Sequence, residues 1–102
     1  MNSIYLIQSL EDSRYKIGVS KHPKKRILQL QTGNASKLKL VTSYESEFAY
    51  QIEKALQRRY LYLKKEGEWF DMSIDNEITF IEECQNVEKN LLYLRGAGNI
   101  FI

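Results

Sequence analysis

Four residues of this chain have the types and the spacing needed to hold a phosphodiester and one divalent metal ion. Arg26 stands eight residues after Gly18, and Glu53 follows twenty-seven residues later. An arginine guanidinium can bind a phosphate through two parallel hydrogen bonds. One carboxylate can be enough for Mg²⁺, which keeps several of its waters. Tyr5 and Lys16, which precede the arginine, are candidates to position or deprotonate an attacking water.

The first half of the chain predicts a β-hairpin followed by a helix and a third strand. Residues 3–9 and 14–20 alternate in polarity on either side of a turn, which is typical of two paired strands. In the second strand the alternation puts Lys16 and Gly18 on one face, and a glycine inside a strand usually marks a bulge or a close approach to the backbone. Pro23 suits the first turn of a helix that ends at Gly33, a predicted left-handed cap.

The second half predicts two helices that cover the sheet. Residues 38–44 alternate in polarity and include β-branched residues, which predicts a third strand, and from Glu47 to about Lys65 apolar residues recur at helical spacing. A turn or a short strand at 67–71 precedes a last helix, for which Ser73, Asp75 and Asn76 are the candidate caps. The order β-β-α-β-α-α therefore predicts an α+β fold with a small three-stranded, mostly antiparallel sheet flanked by helices. We expect a single domain over residues 1–95 and an apolar C-terminal tail over residues 96–102.

Basic side chains are concentrated in the first half, where residues 13–44 contain no acid. Such a surface suits a polyanion, because each neutralised phosphate releases condensed counterions; scattered solvated lysines are the alternative. The candidate nucleic-acid contacts are Lys21, Lys24, Lys25, Asn34 and Lys37. From Glu45 onward, eleven acids stand against seven bases, which predicts an electrically two-faced molecule.

Composition and hydropathy exclude several other classes. No apolar run approaches the length of a membrane span, and the N-terminus lacks the pattern of a signal peptide, so we expect a cytoplasmic protein without a membrane partner. The lone cysteine, Cys84, offers neither a disulfide nor a metal cluster.

Four short motifs occur in order at matching spacing, and together they resemble the GIY-YIG nuclease superfamily over about residues 3–72. They are Ile4-Tyr5 on the first strand, Lys16-Ile17-Gly18 on the second, Arg26 on the next helix and Glu53 on the long helix. Residues 30–34, Leu-Gln-Thr-Gly-Asn, and residues 67–70, Gly-Glu-Trp-Phe, resemble in particular a small phage and large-virus branch of this superfamily, often described as a DNA-binding domain.

The resemblance implies a metal-dependent endonuclease that hydrolyses DNA, with Tyr5, Lys16, Arg26 and Glu53 as catalytic residues. Glu53 would be the metal ligand, and the cofactor would be Mg²⁺ or another divalent cation. Three departures from the superfamily pattern leave a second function open, a DNA-binding module with weak or no catalysis. Ser3 replaces a glycine, Lys16 stands where most members have tyrosine, and Gln57 stands where many have histidine.

A third alternative is an interaction protein that uses Trp69, the last helix and the apolar tail. An exposed apolar tail either packs on its own domain or docks on another copy. A homodimer through the last helix or the tail is the partner that this alternative predicts.

Overall fold

The computed structural model describes residues 1–98, which form an α+β fold. Its strands are β1 (Ser3–Ser9), β2 (Arg14–Ser20), β3 (Leu38–Glu45) and β4 (Trp69–Phe70). Its helices are α1 (Pro23–Thr32), α2 (Ala49–Arg59) and α3 (Ile74–Gly96), and a short 3₁₀ turn (Leu61–Leu63) follows α2. The four strands form one antiparallel sheet in the order β3-β1-β2-β4.

The sheet separates two apolar layers because its central strand, β1, is buried on both faces. On one face, Ile4 and Leu6 pack with α2 and α3 in the main core, which includes Ile52 and Phe80. On the other face, Tyr5 packs with Ile7 and Leu38 beneath α1. Helix α1 has no fully buried residue and covers this face through the half-buried side chains of Ile27 and Leu30. The sheet therefore has an α1 face and an α2/α3 face.

Three details differ from the predictions. The sheet has a fourth strand, since β4 pairs with β2 along its edge. The long helix is shorter than predicted, because α2 ends at Arg59 and the chain then tightens into the 3₁₀ turn. Gly33 is not a left-handed cap, since its φ is −96°. The glycines with a positive φ among residues 1–98 are Gly67, at 60° in the turn before β4, and Gly98, at 90° after α3.

The N-cap of helix α3 is Ser73, one of the three predicted candidates. The Ser73 side chain accepts a hydrogen bond from the Asn76 backbone N–H, and the Asn76 side chain accepts one from the Ser73 N–H at 2.9 Å. This reciprocal capping box satisfies two backbone donors that the first turn of the helix leaves free. The predicted apolar tail starts at Gly96, the last residue of α3, and its residues 99–102 lie outside the described part of the chain.

None of the helices within residues 1–98 combines the length and the apolar character that a membrane crossing requires.

Candidate active site and nucleic-acid interface

Tyr5 lies flat against the backbone of Gly18 on the α1 face. The strand register pairs Tyr5 with Gly18 and Ile7 with Lys16, so that all four side-chain positions share this face. A Cβ built on Gly18 would stand 2.9 Å from Cε1 of the Tyr5 ring, with Cζ and Oη closer still. The ring is only 3 % exposed. The close approach predicted at Gly18 is therefore made by a side chain of the same sheet.

Lys16 forms an ion pair with Glu68, a partner that was not predicted from the sequence. The Lys16 Nζ lies 2.8 Å from the Glu68 carboxylate. Pairing of Lys16 with Trp69 across β2 and β4 carries Glu68 to this position. Only 21 % of the Lys16 side chain is exposed, against 74 % for Glu68. The ammonium is thus fixed near the surface by a carboxylate that itself faces solvent.

Arg26 lies on the exposed side of α1, one turn before Gln29. Its Nη1 donates a hydrogen bond of 3.4 Å to the Gln29 side chain, and both residues line a shallow groove with Ser20 and Lys25. The pKa of Glu68 is lowered, mainly by its hydrogen bond and charge interaction with Lys16, and the charge of Arg26 contributes further. Arg26 therefore lies close enough to the ion pair of Lys16 and Glu68 to act on it electrostatically.

Glu53 is half-buried on α2, at the edge of the apolar stripe that packs on the sheet. Burial raises the pKa of its carboxyl group, the negative charge of Glu68 raises it further, and Lys54 opposes the shift. An ionised carboxylate that is partly desolvated and faces a second negative charge is stabilised by any cation placed beside it. Glu68 is thus common to the surroundings of three predicted residues. It forms an ion pair with Lys16, and it has charge interactions with Arg26 and with Glu53.

Among residues 1–98, no group of three or more His, Cys, Asp or Glu side chains could hold a metal ion. Zinc, which needs three or four such ligands, does not fit this donor set. Magnesium fits it, since it binds through one or two carboxylates and keeps its remaining waters. Glu53, a half-buried residue with a raised pKa, is the residue that would hold the ion.

Three of the five predicted nucleic-acid residues meet in one groove. Lys21, Lys24 and Lys25 line it between the start of α1 and the β3 strand, where Ser43 and Glu45 complete it. All three lysines are exposed. Proline at the first position of α1 begins the helix here, and it spaces Lys21 from the two helical lysines.

The other two predicted residues lie elsewhere. Lys37 is at the opposite end of the sheet, where its carbonyl accepts a hydrogen bond of 2.9 Å from the Leu10 N–H. Asn34 has a structural contact, because its side chain accepts a hydrogen bond from the Ser36 N–H at 3.0 Å. The Gln31 side-chain amide donates hydrogen bonds to the backbone carbonyls of Asn34 and Ser36 in the same loop. Asn34 still lines a groove that also contains Lys16 and Trp69.

A second basic groove lies on the α2 side and was missed from the sequence. Lys54, Arg58 and Lys64 line it, with Glu68 at its border and the buried Phe70 among its walls. A signal was present, since residues 54–65 contain five bases and no acid. The run is hidden in the net charge of the second half of the chain, because acids outnumber bases there.

The chain matches the model of a known protein family. The model of the T5orf172 domain matches residues 2–91, which is most of the chain. The chain has no significant match to a curated protein or to a solved structure. The matched domain is of a phage type and is related to nuclease and DNA-binding modules.

Proposed function

The chain belongs to the T5orf172 domain family, and on that premise we propose that it is a metal-dependent endonuclease of the GIY-YIG type that binds and cuts DNA. The observation that carries the proposal is the electrostatic neighbourhood of Glu68. Within it, Lys16 is ion-paired, Arg26 is exposed at the surface, and Glu53 has a raised pKa. The two cations that act on Glu68 suit a phosphate, and the half-buried carboxylate of Glu53, which the charge of Glu68 also affects, suits a hard metal ion.

Each residue has a role that its environment supports. The Arg26 guanidinium group binds the scissile phosphate and stabilises the negative charge that develops on it in the transition state. Tyr5, fixed against Gly18, orients the attacking water, and Lys16 supplies a second positive charge once the phosphate displaces Glu68 from it. Glu53 would hold a magnesium ion, which would supply Lewis-acid stabilisation of the phosphate oxygens.

Plasmid nicking tests the proposal, with Glu53→Gln as the variant and Glu82→Gln as the matched control. Both substitutions replace a carboxylate by an amide, but Glu82 is an exposed residue of α3. We expect the wild type and the control to nick supercoiled plasmid with Mg²⁺ and to stop when the metal is chelated. Glu53→Gln should be slower by roughly 10²-fold or more, the usual effect of removing one stabilising group. Equal nicking by Glu53→Gln would refute the assignment.

The second candidate function is a DNA-binding module without catalysis. Two observations favour it. Gln57, one turn after Glu53 on α2, cannot accept a proton, and Lys16 is engaged by Glu68 rather than free to act as a base. This module would retain DNA in a salt-sensitive manner without cutting it. Replacing Lys24 and Lys25 together by glutamine should weaken retention, and retention that survives both this change and high salt would exclude DNA binding on the α1 side.

Association of two copies through α3 or the C-terminal tail remains a separate prediction. Helix α3 exposes large apolar side chains, with Ile78 70 % and Tyr93 76 % accessible. Light scattering at two protein concentrations would detect a homodimer, and a monomeric mass at both would exclude a stable one.

A further inference from the structure

The strongest charged feature outside the α1 side is the groove defined above by Lys54, Arg58 and Lys64. We infer that this α2 groove is a second phosphate-binding surface, and that a nucleic acid bound along α1 continues across the ion pair of Lys16 and Glu68 into it. The inference rests on the proposed DNA binding and extends it, because the candidate contacts predicted from the sequence all lie between residues 21 and 37.

The first argument is that the three cations are available. All three are exposed, and none takes part in the ion pairs formed among residues 1–98. The neighbouring Arg59 shows the contrast, since it is ion-paired with Glu83 on α3. Lys54 and Arg58 are four residues apart on α2 and therefore project from the same side of the helix. Like charges at this spacing repel each other, and a bound polyanion would remove that cost.

The second argument is continuity between the two sides. Glu68 lines the α2 groove, while its partner Lys16 lines the groove that contains Asn34 and Trp69. The charges of both Lys64 and Arg26 help to lower the pKa of Glu68, after the larger effects of Lys16. The ion pair is therefore the border between the α1 side and the α2 groove, with cations on each side of it. A carboxylate held there occupies the position that a phosphate would take.

The third argument concerns the acids. In the lining of the α2 groove Glu68 is the only acidic side chain, and it is 74 % exposed. An ion pair whose carboxylate faces solvent contributes little to stability, so phosphates can displace Glu68 from Lys16 at little cost. Phe70 and Leu61 add apolar surface to the lining of the groove, and Leu61 is 60 % exposed. The cations of the groove can thus bind the phosphates of a nucleic-acid backbone, and its apolar side chains can contact the sugars.

The salt dependence of DNA binding tests the inference, measured by fluorescence anisotropy with a labelled duplex. Each phosphate contact contributes about 0.9 to the slope of log K against log salt on duplex DNA. The double variant Lys54→Gln/Arg58→Gln should therefore reduce the slope by about 1.8, and Lys64→Gln alone by about 0.9. The matched control, Lys39→Gln/Lys89→Gln, removes two exposed lysines that line none of the grooves described above. It should leave the slope unchanged.

The variant Lys24→Gln/Lys25→Gln separates this inference from the proposed function. If it reduces the slope while the variants of the α2 groove bind as the wild type does, the inference is wrong and DNA binding on the α1 side stands. If the wild-type chain shows no salt-sensitive binding at all, the proposed function fails. If the control variant reduces the slope as much as the groove variant, binding is a response to net charge and the α2 groove is not a site. Circular dichroism of each variant checks that the fold is retained.

Discussion

A methyl group added at Gly18 tests how tightly the Tyr5 ring is held against β2. In the variant Gly18→Ala, the new Cβ would meet three atoms of the ring at 2.9 Å or less. Carbon atoms pack best at about 3.5–4.0 Å, so the ring would have to withdraw by roughly 1 Å or more. The ring is 3 % exposed and packs with Ile7 and Leu38 in the layer beneath α1, which leaves little room for withdrawal.

The expected cost follows from this collision. Overpacking a well-packed core by one methyl group costs about 1–3 kcal/mol. For a domain of this size, 1 kcal/mol corresponds to about 4–8 °C in the midpoint of thermal unfolding. Gly18→Ala should therefore unfold about 4–24 °C below the wild type. If the proposed role of Tyr5 is correct, nicking should also fall in the protein that remains folded.

Thermal unfolding followed by circular dichroism measures the effect, with Gly33→Ala as the matched control. A Cβ at Gly33 would meet no atom within 4 Å, and its φ of −96° is open to alanine. Both variants reduce the freedom of the unfolded chain equally, which by itself stabilises a protein by about 0.4–1 kcal/mol. The difference between them therefore isolates the collision with Tyr5. Equal midpoints for the two variants would show that the ring yields freely and would refute the reasoning.

Two further predictions concern the acids of the site. Burial, and then the charge of Glu68, raise the pKa of Glu53, so the folded state disfavours the ionised carboxylate. At a pH above that pKa, Glu53→Gln should therefore raise the midpoint temperature of unfolding. The gain should vanish at about pH 3, where the carboxyl group is protonated in both the folded and the unfolded state. A lower midpoint for Glu53→Gln at neutral pH would contradict this. Glu68→Gln should tighten DNA binding by up to about fivefold, since it frees Lys16 from an exposed ion pair worth about 0–1 kcal/mol. Anisotropy titrations would measure this change, and weaker binding would show that Glu68 contributes to the site instead.

Much of the fold was predictable because its signals are local. The alternation in residues 3–9 and 14–20 gave the hairpin and the correct face for Lys16 and Gly18, since successive side chains in a strand must point to opposite faces. The proline start of α1 was also readable, and the cap of α3 was narrowed to three residues, because each depends on a few adjacent residues. The end of α2 was not, because apolar spacing continues into the 3₁₀ turn, where only the hydrogen bonding changes.

The sequence by itself determined which residues could do the chemistry, and the tertiary structure decided their surroundings. Lys16 and Glu68 are 52 positions apart, and no periodicity relates them; the pairing of β4 with β2 brings them into contact. The same folding gives Glu53 its burial and its raised pKa, and it assembles Lys54, Arg58 and Lys64 into a groove. Side-chain type and local spacing are properties of the chain, whereas desolvation and charge interactions depend on distances that exist only after the sheet has formed.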